Sequence, residues 1–252
     1  RSVWPSTFLS MESLIARAKI AEQAERYSEM VELINQVLKE EQSITAEQRN
    51  LFAAGYKNLV SARRSSLRTI NNLLRTEESS GNQRRLELLK AYRQKVEAEM
   101  NEICLEVIQM IDFIVNNKTN SKENLVFFLK MKGDYYRYLA EFKSEPQDFN
   151  RASSPVAQNA LQAYQAATQH SLGLPATDPI RLGLALNFSV LYYEVMDDLQ
   201  GAINTSKIAI DQALGELDDV DEAAYKDATT ILQLLNDNKT LWNSELQEKS
   251  NL

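Results

Sequence analysis

Apolar residues recur at intervals of three and four along most of the chain, the spacing that lines one face of an α-helix. Leu14, Ala18, Ala21 and Ala24 lead on to Met30, Leu33, Ile34 and Val37, with an interruption near Tyr27 where Ser28 is placed to cap a second helix. Thr45, with Gln48 three residues on, has the spacing of a capping box, and the pattern after it predicts a long helix to about Thr76. A polar break from Glu77 to Asn82 separates it from another long helix, Gln83 to Asn116, with Leu86, Val96, Met100, Val107, Ile111 and Ile114 at apolar positions. Ser121 is placed to cap the next, where Leu125, Phe128, Leu129, Tyr135, Tyr136 and Leu139 are spaced for burial. Pro146 and Pro155 then bracket a polar loop, and Pro175 and Pro179 frame the entry to the next helix, so this stretch reads as the loop-rich zone of the chain. Helices are expected from Asp178 to Val195, from about Gln200 to Leu217, and from Asp221 to Trp242.

The pattern therefore predicts an all-α chain of about nine antiparallel helices with short connections. Domain boundaries follow from it: residues 1–10 as an extension, 11–243 as a single domain and 244–252 as a flexible tail with little to bury.

Composition narrows the chemistry. Only 7 Gly and 5 Pro occur in 252 residues, which disfavours hairpin-rich sheets and glycine-loop nucleotide folds. A single cysteine, Cys104, and a single histidine, His170, exclude an internal disulfide, a thiolate zinc site and an imidazole cluster. No cofactor and no enzymatic activity are expected, since no nucleophile–base pair or metal constellation is present. The acidic run Asp218 to Glu222 and the pair Asp197-Asp198 read as helix-end acids. A net charge of −7 disfavours nucleic acid as a partner, no run is long enough to insert in a membrane, and cytoplasmic residence is the expectation.

Against that acidic background the placing of the cations is informative. Lys57 and Arg64 lie seven residues apart, so they share one helix face two turns apart, and Lys130 and Arg137 repeat the spacing with Tyr138 adjoining. One such pair is readily explained as solvated surface charge. Asn187 and Asn238 stand within apolar stripes, where an amide needs a partner. They fit either core asparagines bonded to neighbouring helices or groups that hydrogen-bond an extended ligand.

Three segments around these residues, Tyr56 to Ser66, Lys130 to Glu141 and Pro179 to Val190, resemble the signature segments of the 14-3-3 proteins. Tyr225-Lys226-Asp227 and Gln233 to Trp242 resemble the family's final helix, and the likeness extends over about Met11 to Ser244. The resemblance implies a nine-helix, cup-shaped, dimeric adaptor that binds phosphoserine or phosphothreonine peptides of client proteins in an amphipathic groove. By the same matching, Lys57, Arg64 and Arg137 would clasp the phosphate with Tyr138, and Lys130 would lie alongside. Asn187 and Asn238 would hold the peptide main chain, Glu194 and Trp242 would add polar contacts, and Leu186, Val190, Leu234 and Leu241 would form the apolar wall.

The resemblance also implies a homodimer, or a heterodimer with a paralogue. Its cross-subunit ion pairs would be Arg26 with Glu99 and Glu29 with Lys95, its packing would come from Ile20, Ala24 and Tyr92, and Ser66 would be the interface serine. Leu67 stands where the family usually has Trp, Ser13 where an acid is common, Thr230 where a groove leucine is usual, and Asn236 where an arginine is usual. The competing reading is a helical-repeat scaffold of the TPR type that binds unmodified acidic or C-terminal peptides.

Overall fold

The computed structural model describes residues 10–118, 120–142 and 151–250. Residues 1–9 of the expected extension, and Pro146 within the expected loop, lie outside the described residues. Among the described residues there are nine α-helices and no strand. They are α1 (Met11–Gln23), α2 (Tyr27–Glu40), α3 (Ala46–Ser80), α4 (Gln83–Asn117), α5 (Lys122–Phe142), α6 (Pro155–Ser171), α7 (Pro179–Glu194), α8 (Leu199–Leu214) and α9 (Glu222–Ser250). They fall into two compact units, α1–α4 and α5–α9.

In the first unit α1 packs on α2, α2 on α3 and α3 on α4. Met30, Ile34, Val37 and Leu38 of α2, Phe52, Tyr56, Val60 and Leu67 of α3, and Met100, Val107, Ile111 and Ile114 of α4 are buried. Full burial of a large apolar side chain contributes about 1.5–3 kcal/mol, so this set outweighs any single polar contact. Leu67, which stands where the family usually has Trp, is 0% exposed and belongs to this core.

The ends of α3 and α4 follow from local chemistry. The Thr45 hydroxyl accepts from Gln48 N at 3.2 Å and the Gln48 side chain accepts from Thr45 N at 2.9 Å, the reciprocal capping box. Helix α3 runs past Thr76 to Ser80, because Gly81 at φ 74° takes the left-handed conformation that ends it. The Asn82 side chain caps α4 by accepting from Arg85 N at 3.2 Å. Each of these 35-residue helices is about 52 Å long at 1.5 Å per residue.

Three expectations shift. Ser28 lies inside α2; the break comes earlier, at Glu25, whose φ of 55° turns the chain, and Arg26 stands at the cap without a side-chain bond. The loop-rich zone holds a 17-residue helix, α6, with Pro155 in its first turn and the Ser154 hydroxyl accepting from Ala157 N. Its buried face is Ala157, Ala160, Ala163, Tyr164 and Ala167, so it packs through small residues that carry little hydrophobic signal. The segment expected as a tail continues α9 to Ser250, where the Tyr193 hydroxyl donates to Glu245 at 3.0 Å and Leu246 packs beside Trp242.

In the second unit α5 packs on α6 and α7, α7 on α8 and α9, and α8 on α9. Two of the acids read as helix-end residues do that work, Asp198 accepting from Gly201 N and Asp221 from Ala224 N, and Asp178 caps α7 by accepting from Ile180 N and Arg181 N. Among the described residues no group of His, Cys, Asp and Glu side chains is arranged to hold a metal. Nor, among the described residues, is any helix long and apolar enough to cross a membrane.

Candidate functional site

The second unit gathers the polar residues of α5, α6 and α7 around one carboxylate. Asp134 is buried on α5, one turn from Lys130 and from Arg137. Lys130 Nζ donates to its Oδ2 at 3.0 Å, Asn187 Nδ2 of α7 donates to its Oδ1 at 2.7 Å, and the Tyr164 hydroxyl of α6 donates to the same oxygen. Arg137, 7% exposed, lies 3.9 Å from Asp134, donates through Nε to the Tyr164 hydroxyl at 3.4 Å and pairs with Glu194 at 3.4 Å. Its guanidinium sits 4.8 Å from the centre of the Tyr138 ring.

Charge balance explains why these groups tolerate burial. Burial alone would raise the Asp134 carboxyl, but Lys130 and Arg137, with hydrogen bonds from Tyr164 and Lys130, hold it below the ordinary carboxylate range. Burial and then the Asp134 charge push the Tyr164 phenol well up, so at neutral pH it stays protonated and donates. Burial would lower the Arg137 guanidinium, and the electrostatic pull of Tyr164, Asp134 and Tyr138 outweighs it, so the cation is fixed. The result is a charged, buried guanidinium whose exposed carboxylate partner among the described residues, Glu194, has 45% of its side chain accessible.

Tyr164 reaches Asp134 because α5 and α6 approach closely at Gly133. A Cβ there would stand 2.9 Å from the Tyr164 ring, too near for the helices to keep their spacing. Behind the phenol, Tyr164 stacks on Phe188 and Phe188 on Tyr192, which fixes the ring.

The expected groove residues lie on α7 and α9, which pack against each other. Leu186 and Val190 are half-buried on α7, and Leu234 and Leu241 are 49% and 61% exposed on α9, two turns apart. Asn238 is half-buried on α9. Trp242 is 2% exposed, stacks on Tyr193 with ring centres 5.2 Å apart, and packs with Leu199, Ala202 and Ile203. It is a packing residue beneath the α7–α9 surface.

The first unit carries the other residues. On α3 Lys57 is exposed and Arg64 half-buried. Tyr56, beside Lys57, is anchored inward: Asn35 donates to its hydroxyl at 2.8 Å, and the hydroxyl donates to Glu106 at 2.8 Å. Of the expected interface residues, Ile20 and Tyr92 are 64% and 56% exposed, and Ala24, Lys95 and Ser66 are exposed as well. Within the chain Arg26 pairs with Glu29 at 2.7 Å, and Glu99 pairs with Arg63 at 3.4 Å.

Sequence spacing missed Asp134 and Tyr164. Asp134 had a local signal, since it lies four residues after Lys130 and three before Arg137 on one helix. Tyr164 had none, because its contact spans 30 residues between two helices.

The all-α fold agrees with what comparison to known proteins finds. The family described as 14-3-3 protein matches residues 17–243. The chain is 49% identical over 238 residues to the 14-3-3-like protein GF14 iota of Arabidopsis thaliana, covering 94% of this chain and 87% of that one. It is 48% identical over 243 residues to the 14-3-3-like protein B of Hordeum vulgare, covering 95% and 91%. It is 48% identical over 238 residues to the 14-3-3 protein 2 of Entamoeba histolytica, covering 94% and 98%. Matches of this extent do not favour the helical-repeat alternative: the chain belongs to the 14-3-3 family of phosphopeptide-binding, non-enzymatic adaptor proteins.

Proposed function

We propose that this chain binds client proteins through a phosphorylated serine or threonine, with Arg137, Lys130 and Tyr138 of α5 and Lys57 and Arg64 of α3 as the phosphate-binding residues. The observation that supports the reading most strongly is Arg137. Its cation is fixed by buried neighbours, yet its outward partner is the accessible carboxylate of Glu194, which a phosphate can displace. Guanidinium–phosphate bonds are short, strong and directional, and a phosphate brings nearly two charges where an unmodified hydroxyl brings none. Asn187 and Asn238 hold the peptide main chain, and Leu186, Val190, Leu234 and Leu241 form the apolar wall. Fluorescence anisotropy with a phosphoserine peptide and its unphosphorylated twin tests this; equal affinity for the two overturns it.

The same reading makes the cytoplasmic protein a dimer, paired with itself or a paralogue through Ile20, Ala24 and Tyr92. Arg26 would exchange Glu29 for Glu99 of the other subunit, and Glu29 would pair with Lys95. The exposure of the large apolar side chains Ile20, Leu88 and Tyr92 supports it, since pairing would remove them from water. Phosphorylation of Ser66 would add charge at this interface and weaken the dimer. Sedimentation of the phosphorylated chain as an unchanged dimer would refute that.

A further inference from the structure

We infer that a cavity of about 230 Å³ between α6, α7 and α8 binds a small amphipathic monocarboxylate, its carboxylate on Arg181 and its tail among Leu172, Leu184, Phe188 and Ile208. Arg181 is the only charged residue among those lining the cavity. Its guanidinium is held by neutral acceptors alone, the Leu174 carbonyl at 2.7 Å from one terminal nitrogen and the Gln212 side-chain oxygen at 2.8 Å from the other. It forms no ion pair among the described residues, in contrast to Lys130 and Arg137 of the same unit. A guanidinium offers about five N–H donors. Two are engaged, which leaves enough for a bidentate carboxylate.

The rest of the lining asks for an apolar occupant. The hydroxyls of Thr168, Ser171 and Thr205 all donate to carbonyls of their own helices, to Tyr164, Thr168 and Gly201 respectively, and are satisfied without a ligand. Leu172 and Ile208, 69% and 57% exposed, line the cavity and would be covered by an occupant. The volume falls below the roughly 300–1,000 Å³ of drug-sized sites, so the ligand is small. One cation matches one negative charge, which favours a carboxylate over a phosphate dianion.

Titration calorimetry on the full chain with octanoate and with 1-octanol tests the inference. Octanoate binds about tenfold or more tightly than octanol, the margin a charge-assisted pair confers, and hexanoate binds more weakly than octanoate by about fourfold per methylene removed. Gln212→Glu places a carboxylate beside Arg181 and keeps the hydrogen-bond acceptor; it lowers octanoate affinity about tenfold and leaves octanol binding unchanged. Ile208→Glu lowers the affinity of both. Phosphopeptide affinity and thermal midpoint are unchanged in Gln212→Glu, which separates this site from the phosphopeptide function. Equal binding of octanoate and octanol, octanoate binding insensitive to both substitutions, or no octanoate binding at millimolar concentration each overturns it.

Discussion

Two cation pairs share one spacing and sit in different surroundings. Lys57 and Arg64 stand on α3, the first exposed and the second half-buried. Lys130 and Arg137 stand on α5, both tied to a buried carboxylate. Seven-residue spacing says only that two side chains share a helix face. Whether that face is solvated or embedded is decided by what packs on it, here α6 and α7. The exposed Lys57 can change with little effect on the fold, whereas Lys130 and Arg137 also hold the buried carboxylate in place.

The largest effect that could break the contrast lies at Asp134. Asp134→Ala leaves Arg137 buried without its internal counter-charge, and we predict a loss of about 3–5 kcal/mol of stability, read by urea denaturation, together with loss of phosphopeptide binding. A stable, binding-competent Asp134→Ala protein would show that the α5 network is dispensable. Next comes Lys57→Glu, predicted to lower phosphopeptide affinity by roughly a hundredfold while the urea midpoint stays within about 0.5 kcal/mol of the parent's stability. A destabilised Lys57→Glu would erase the distinction between the pairs.

Acid sharpens the contrast further. The Asp134 carboxyl is held below its ordinary range, so its contribution is complete above about pH 4, where the unfolded carboxyl is ionised. It fades as the pH falls through the folded value. The stability gap between the parent chain and Asp134→Asn should therefore be full at neutral pH and narrow below about pH 4. The smallest effect is Thr45→Ala, which removes the α3 capping box and should cost about 1 kcal/mol in thermal or urea unfolding, with phosphopeptide affinity unaltered.

Much of this architecture was readable because long helices without proline advertise their period. Thr45, Ser121 and the acids at helix starts announced themselves through capping chemistry that needs only three or four residues of context. Helix α6 was hidden because its buried face is alanine, which carries a strong helical propensity but a weak apolar signal, and because prolines flank it. The far end of α9 was hidden because its reason to stay helical, the contacts of Glu245 and Leu246 with α7 and α8, is not local. The site divided in the same way: the cations could be found by spacing and by resemblance, but the carboxylate and phenol that hold one pair could not be weighed until three helices were in place.

Position 133 governs how such a protein can drift. A lone hydrogen there lets the Tyr164 phenol meet Asp134, so any methyl-bearing replacement would push α6 outward and open the network without touching a ligand. Residues 133 and 164 can therefore diverge only together, by way of a smaller side chain on α6. Lys57 is exposed, so on the proposed reading descendants of this chain could exchange it with little effect on the fold, and the demand for phosphorylated partners would be what holds it in place.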